Sequence, residues 1–311
     1  MQARPDCLRV AVVGVGGVGG LVGALLSRQG HEVTFVATES SAPVLCSQGV
    51  RVRSERYGSF AVPATAVTKL LTPVDVCVFA VKATQLESAM DRVPAESTEE
   101  ALVVPILNGF EHVAALRASY GDRVVAGTIR VASSRTAPGV IEHASPFMKV
   151  ELAVSQDEDL IRRRAVLNFA SHLQGAGVDV EIREDELSML WGKLIFLAPL
   201  ALLTTKYGTT AGDVRTAHRD QLLALIQEIA AVAMTTGAVV DADAAVQFFD
   251  SVPATMQSSM QHDAAAGRAI EIEAIGGAIL RAGVLSGVAT PVTERFVEEL
   301  RRIGTDCLQT T

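Results

Sequence analysis

Residues 14–19 read Gly-Val-Gly-Gly-Val-Gly, a G-x-G-x-x-G spacing suited to cradling a pyrophosphate on backbone N–H groups. Gly14 permits a tight turn, Gly16 lets the backbone approach the phosphates, and Gly19 lets the following helix pack closely on the preceding strand. Gly17 and Val18 complete the loop. The simpler reading is a glycine-rich turn, and the ordered elements around it favour a dinucleotide site. Thr38-Glu39-Ser40-Ser41 falls where the adenosine ribose of such a ligand lies. A carboxylate at the end of the second strand binds both ribose hydroxyls and repels a 2′-phosphate, and Ala37 fills that place here. Thr38, Ser40 and Ser41 can hydrogen-bond a phosphate; the loop holds no arginine, and Glu39 opposes the phosphate if it turns inward. The balance favours NADP(H), against a merely polar loop. Lys82, with Gln85 close behind, and Asn108 each follow an apolar run. Ligands lie beyond the carboxyl ends of strands in an open α/β sheet, so these positions are candidates for the meeting of cofactor and substrate. Singly, Lys82 is a solvated lysine and Asn108-Gly109 a turn.

The elements that must position these residues are visible in the apolar pattern. Residues 8–13 form a short apolar run bounded by glycine, which reads as a buried parallel strand. Residues 21–29 read as a helix whose first amides face the phosphates, Gly30 as its left-handed cap, and 31–37 as the second strand. Residues 50–62 have the pattern of a hairpin, and 75–81 and 101–107 of buried strands. Further strands are expected at 123–129, 140–142, 149–154 and 178–182, with an amphipathic helix over 160–174. From Glu184 only helices are expected: 185–206, with Pro199 as a kink, then 219–235, 242–252, 254–266 and 271–285. Thr290-Pro291 is an N-cap and N1 pair opening the last helix, to about 303. Two domains follow: residues 1–183, α/β and dinucleotide-binding, and 184–311, all-α.

Bulk properties narrow the classes. At 311 residues two cores are the default expectation. The net charge of −8 argues against nucleic acid or an anionic membrane as partner. Cys7, Cys46, Cys77 and Cys307 make no C-x-x-C pair, and the six histidines lack ligand spacing, so no metal site is expected. No signal-peptide pattern precedes Leu8. The most apolar later stretch, 194–203, is about half the length that spans a bilayer. A cytoplasmic, reduced protein is expected.

Three motifs of the helical half extend this reading: Trp191-Gly-Lys-Leu194, Ser258-Ser-Met260, and the run from Gly267-Arg268 through Glu271-Ile-Glu273 to Gly277. With the glycine fingerprint, V-K-x-x-Q at 81–85, N-G at 108–109 and P-G-x-[VI]-x-H at 138–143, the chain resembles the ketopantoate reductase (2-dehydropantoate 2-reductase) family over nearly its whole length. Each motif is common alone; their order and spacing are specific. The resemblance implies a Rossmann-type domain followed by a helical, 6-phosphogluconate dehydrogenase-like domain, a homodimer, NADP(H), and reduction of a small 2-oxo acid in pantothenate biosynthesis. It also implies roles: Lys193 as general acid, Glu271 as active-site glutamate, Ser259 on the substrate carboxylate, and Lys82 and Asn108 at the nicotinamide and substrate junction. The chemistry agrees, because hydride addition to a carbonyl makes an alkoxide that needs a cation and a proton, and an ammonium supplies both. Without the family pattern Lys193 reads as a lysine snorkelling from an apolar helix.

The departures concern the substrate end. Where the family carries asparagines four and eight residues after the lysine, this chain has Leu197 and Ala201. The family I-N-G is Ile275-Gly-Gly277, and Thr38 replaces the usual arginine. Two alternatives to ketopantoate reduction follow: a paralogue acting on a less polar 2-oxo acid, and a non-catalytic NADP(H)-binding sensor. Ser259 and Glu271, twelve residues apart, lie about 18 Å apart along one straight helix. They share a pocket only if the chain turns, and Gly267 is the expected break.

Overall fold

A computed structural model describes residues 7–308, with side chains through residue 302, so the side chain of Cys307 lies outside the described residues. The strands in chain order are β1 (Arg9–Val13), β2 (Glu32–Val36), β3 (Val50–Ser54), β4 (Phe60–Val62), β5 (Thr65–Val67), β6 (Val76–Phe79), β7 (Leu102–Pro105), β8 (Gly127–Arg130), β9 (Ser133–Ala137), β10 (Val140–His143), β11 (Lys149–Ala153) and β12 (Asp179–Arg183). Valine-rich β1, β6 and β7 are buried almost throughout, as strands covered on both faces must be. They form the centre of a parallel sheet ordered β5-β2-β1-β6-β7. Counted within the sheet this is 3-2-1-4-5, the Rossmann order, and its winding reverses beside β1. The glycine loop leaves β1 at that reversal and opens the helix Gly17–Arg28. Gly30, at φ +94°, ends this helix as expected.

Two smaller sheets complete this unit, β4-β3-β10-β9 and β12-β11-β8. The expected hairpin is β3 against β4, with Val50 opposite Val62 and Val52 opposite Phe60. The strand expected from 123 starts only at Gly127, because Gly121–Arg123 closes into a 3-10 turn. Strand β9, Ser-Ser-Arg-Thr-Ala, has no apolar alternation to betray it and takes its conformation from pairing with β10.

Compact grouping of the chain puts residues up to 107 with 112–186, and residues 108–111 with the chain from 187 onward. The short segment containing Asn108 therefore counts with the helices, although the sequence boundary at 183 leaves it in the α/β part.

In the helical unit, Glu186–Tyr207 is one helix running through Pro199. It is long and apolar enough to cross a membrane, with mean hydropathy 1.7, yet 72% of that stretch is buried within the protein, as in a core helix. Helix Arg219–Thr235 matches expectation. The helix expected over 254–266 forms only at Ser259–Ala265, because Pro253 to Met256 closes a turn and Ser258 caps the shorter helix by accepting from Gln261 N at 3.1 Å. The helix expected over 271–285 is continuous from 272 to 286 but is not α throughout: a π turn, Glu273–Gly277, leads into the α-helix Ala278–Ser286. At the far end Pro291 opens the last helix, Pro291–Leu308.

His143, 4% exposed, ties β10 to its surroundings. Its Nδ1 lies 2.8 Å from Ser54 Oγ, and its Nε2 3.1 Å from Ser145 Oγ. Burial holds its pKa below the ordinary 6.5, and His31 is lowered by burial too. As pH falls through about 6.5 the unfolded chain takes up protons that the folded chain refuses, so stability present above that pH is lost. Denaturant unfolding is expected to give lower stability at pH 5.5 than at pH 7.5. In His143→Gln the difference should shrink, and an undiminished difference would remove His143 as its source.

Candidate functional site

The first part of the site is the loop between β1 and the Gly17–Arg28 helix. Gly14 adopts φ +92°, and a Cβ on Gly19 would lie 2.0 Å from Gly14 O, so the helix can rise off the strand only with glycine there. At Gly16, by contrast, a Cβ would meet nothing within 4 Å. The helix has Gly16 as N-cap, no side-chain cap and no acidic residue in its first turn. Its leading N–H groups thus lack a capping side chain. A pyrophosphate supplies the acceptors that such an end lacks, so these residues fit a dinucleotide. Val18 stands half-buried in the first turn.

At the end of β2, Thr38 and Ser40 are exposed, and Thr38 Oγ1 lies 3.1 Å from both Ser40 Oγ and Ser41 Oγ. The loop itself holds no arginine, but the fold brings one to it. Arg92 donates to Ala37 O at 3.3 Å and grips Glu39 with both terminal nitrogens, at 3.0 and 3.1 Å. Fifty-three residues separate the pair, and no local pattern marks Arg92. Past β6, Lys82 is half-buried at the start of the 3-10 turn Ala83–Gln85, whose Gln85 is exposed.

The second part lies within the helical unit, where Asn108, Lys193 and Glu271 come together. Lys193 Nζ donates to Asn108 Oδ1 at 3.0 Å, and Asn108 Nδ2 donates to Glu271 Oε2 at 3.1 Å. Lys193 is 8% and Glu271 6% exposed. The order of atoms is forced: an ammonium only donates and a carboxylate only accepts, so the amide must present oxygen to one and nitrogen to the other. A buried cation and a buried anion are thereby joined through one neutral, bifunctional side chain, which lowers the cost of burying each.

Local structure explains how each side chain arrives. Lys193 projects from the core helix Glu186–Tyr207, two residues beyond Trp191, itself 1% exposed. Phe110 packs on Trp191 with ring centroids 4.9 Å apart, and Glu111 pairs with Arg281 at 2.6 Å. Between Asn108 and Phe110, Gly109 takes φ +82°, and a Cβ there would lie 2.2 Å from Ala274 O in the π turn. Glu271 precedes that turn and its carbonyl accepts from Ile275 N at 3.1 Å. The wider π turn carries one residue more per turn than an α-helix, a distortion found often at functional sites. The adjacent glycines 276 and 277 were its one trace in the sequence.

Ser259 is exposed in the first turn of its short helix, and Ser258 is the buried one, 2.8 Å from Thr204 Oγ1. Gly267, at φ +64°, does turn the chain: Gly267 N bonds to Ala264 O and Arg268 N to Asp263 O, ending the helix before Glu271. Leu197 is half-buried against the helical core. Ala201 is 0% exposed inside that core. At Gly276 a Cβ would lie 2.4 Å from Val297 Cγ2, so packing fills the place of the family asparagine. Among the described residues no group of three His, Cys, Asp or Glu is placed to hold a metal.

Comparison with known proteins covers both parts. The family described as ketopantoate reductase PanE/ApbA matches residues 10–155, and its C-terminal counterpart matches residues 185–304. A 2-dehydropantoate 2-reductase of Mycobacterium tuberculosis (strain ATCC 25618 / H37Rv) is 30% identical over 303 residues, 93% of this chain and 95% of that protein. Among solved structures, a PanE/ApbA family ketopantoate reductase from Ralstonia eutropha JMP134 gives a TM-score of 0.86 at 25% identity, covering 96% of this chain and 99% of that one. A D-mandelate dehydrogenase solved with NADH and anilino(oxo)acetate also gives 0.86, over 96% and 99% of the chains, at 19% identity, a likeness of fold.

Proposed function

The chain belongs to the ketopantoate reductase family of oxidoreductases, and from that premise we propose that it reduces 2-dehydropantoate (ketopantoate) to pantoate with NADPH. The observation that carries the reading is the buried Lys193–Asn108–Glu271 chain of hydrogen bonds. A reduced nicotinamide dinucleotide, which the glycine loop would hold, would supply a hydride for the carbonyl carbon. The carbon–oxygen π bond breaks toward oxygen, and the resulting alkoxide takes a proton from Lys193 Nζ, leaving the amine neutral. Asn108 Oδ1 holds one of the ammonium hydrogens and so aims the others. Glu271 fixes the amide from its far side and balances the ammonium charge in a buried place. Thr38, Ser40 and Ser41, with no carboxylate at Ala37, support NADPH over NADH. The family reading also makes the protein a cytoplasmic homodimer acting on a small molecule.

A second reading has its own observations. Leu197 and Gly276 stand where the family pattern carries asparagines, and an apolar side chain and a filled space there would offer the hydroxyl of ketopantoate fewer polar partners. A fold that also serves a D-mandelate dehydrogenase accommodates a less polar 2-oxo acid. A site built to bind a hydroxyl rejects analogues lacking it strongly, whereas an apolar wall discriminates weakly. Steady-state NADPH oxidation with ketopantoate and with 2-oxo-3-methylbutanoate tests both. The leading reading expects kcat/KM higher for ketopantoate by about two orders of magnitude or more. Equal or reversed values would move the assignment to the less polar substrate. Tight NADPH binding without turnover on any 2-oxo acid would overturn catalysis and leave a sensor.

A further inference from the structure

Arg92 occupies the carboxyl edge of the parallel sheet although it belongs to neither strand there. Its backbone oxygen accepts from Leu70 N at 2.8 Å. Its Nη1 donates to Ala37 O, just past β2, at 3.3 Å and to Thr68 O, just past β5, at 3.1 Å. Two main-chain carbonyls thus fix the guanidinium beside the loop of Thr38, Ser40 and Ser41. Its two terminal nitrogens also meet the Glu39 carboxylate side on, at 3.0 and 3.1 Å. The partners differ in how firmly they are held: the Arg92 side chain is 26% exposed and that of Glu39 74%.

We propose that Arg92 is the cation of a 2′-phosphate subsite for the dinucleotide, and that Glu39 competes with that phosphate for its guanidinium. The inference rests on the dinucleotide reading of the glycine loop. It replaces a cation missing from the loop sequence with one delivered by the fold. The guanidinium is planar, always charged and pre-oriented by its carbonyl contacts, which suits two-point capture of a phosphate. The exposed ion pair to Glu39 contributes little net stability and is readily exchanged. A phosphate brings close to two negative charges where Glu39 brings one, and the hydroxyls of Thr38, Ser40 and Ser41 add donors that a carboxylate leaves unused. Arg92 holds the Glu39 carboxyl below its ordinary pKa, so the competition at neutral pH is between anions. Glu39 therefore moderates the preference for a 2′-phosphate without abolishing it.

Calorimetric titration of the full chain with 2′,5′-ADP and with 5′-ADP reads this subsite apart from catalysis. The wild type should bind 2′,5′-ADP about tenfold more tightly, the worth of a charge-assisted hydrogen-bond pair. Arg92→Gln should bring the ratio near one while 5′-ADP still binds. Glu39→Gln should widen the ratio by strengthening 2′,5′-ADP alone. If Arg92→Gln fails to bind either compound, its carbonyl contacts are needed for the fold, and Glu39→Gln decides: a widened ratio supports the proposal and an unchanged one overturns it. An unchanged ratio in a folded Arg92→Gln overturns it as well. A wild type that binds 5′-ADP at least as well as 2′,5′-ADP overturns the subsite and spares the dinucleotide reading. A wild type that binds neither overturns that reading itself.

Discussion

Lys193→Ala is expected to lower kcat by on the order of 10²–10³-fold or more, about 3–5 kcal/mol of transition-state stabilisation, with dinucleotide affinity nearly unchanged. The effect is large because Lys193 is asked for two things at one moment, a positive charge near the developing alkoxide and a proton for it. No neighbour in the trio replaces it: Asn108 donates from a neutral amide, and Glu271 carries the wrong charge. Truncation also leaves Glu271, 6% exposed, with its compensating ammonium gone, so some stability should be lost with the activity. Circular dichroism and titration with the dinucleotide separate the two losses. Near-normal kcat in a folded variant would make another group the acid.

Gly109→Ala should damage both stability and turnover although it alters no chemical group. At φ +82° any L side chain is strained by roughly 1–2 kcal/mol. The new Cβ, placed 2.2 Å from Ala274 O, forces an overpacked contact costing about 1–3 kcal/mol more. The opposing atom is main chain in the π turn and cannot rotate away, so relief comes from moving the backbone that carries Asn108. A shift of about 1 Å there is enough to cost on the order of 10²-fold in kcat. Lowered melting temperature together with lowered kcat is the expected result. An unaltered kcat in a destabilised variant would show that Asn108 keeps its place without this contact, and an unaltered melting temperature would deny the contact altogether.

The nucleotide end of the molecule was readable in advance because its signals are local. A strand, a turn that only glycine can make and a helix cap follow one another within residues 8–30, and each has its own composition. The trio was not readable in that way. Asn108 lies 85 residues from Lys193 and 163 from Glu271, so no window of sequence contains any two of them. The end of an apolar run marked Asn108 as facing a ligand, but nothing marked its partners except likeness to a family. Lys193 in an apolar helix has the same appearance whether it snorkels outward or is held inward by an amide. The π turn escaped because α and π turns draw on the same residues, and β9 because pairing alone makes it a strand. Arg92 escaped because a cation brought by the fold from 53 residues away leaves no trace in the loop it serves.

The grouping of residues 108–111 with the helical unit has a bearing on how this protein can be recombined. Its family regions meet between 155 and 185, which invites a crossover there between relatives. Such a hybrid inherits Lys193, Glu271 and the π turn from one parent, but Asn108, the Gly109 that fits against Ala274, the Phe110 that covers Trp191 and the Glu111 that binds Arg281 from the other. Four residues in the first parent's gene thus have to match a surface encoded by the second. Transplanting 108–111 along with the C-terminal half keeps lock and key from the same source, and it makes the functional seam of the gene discontinuous where the chain is not.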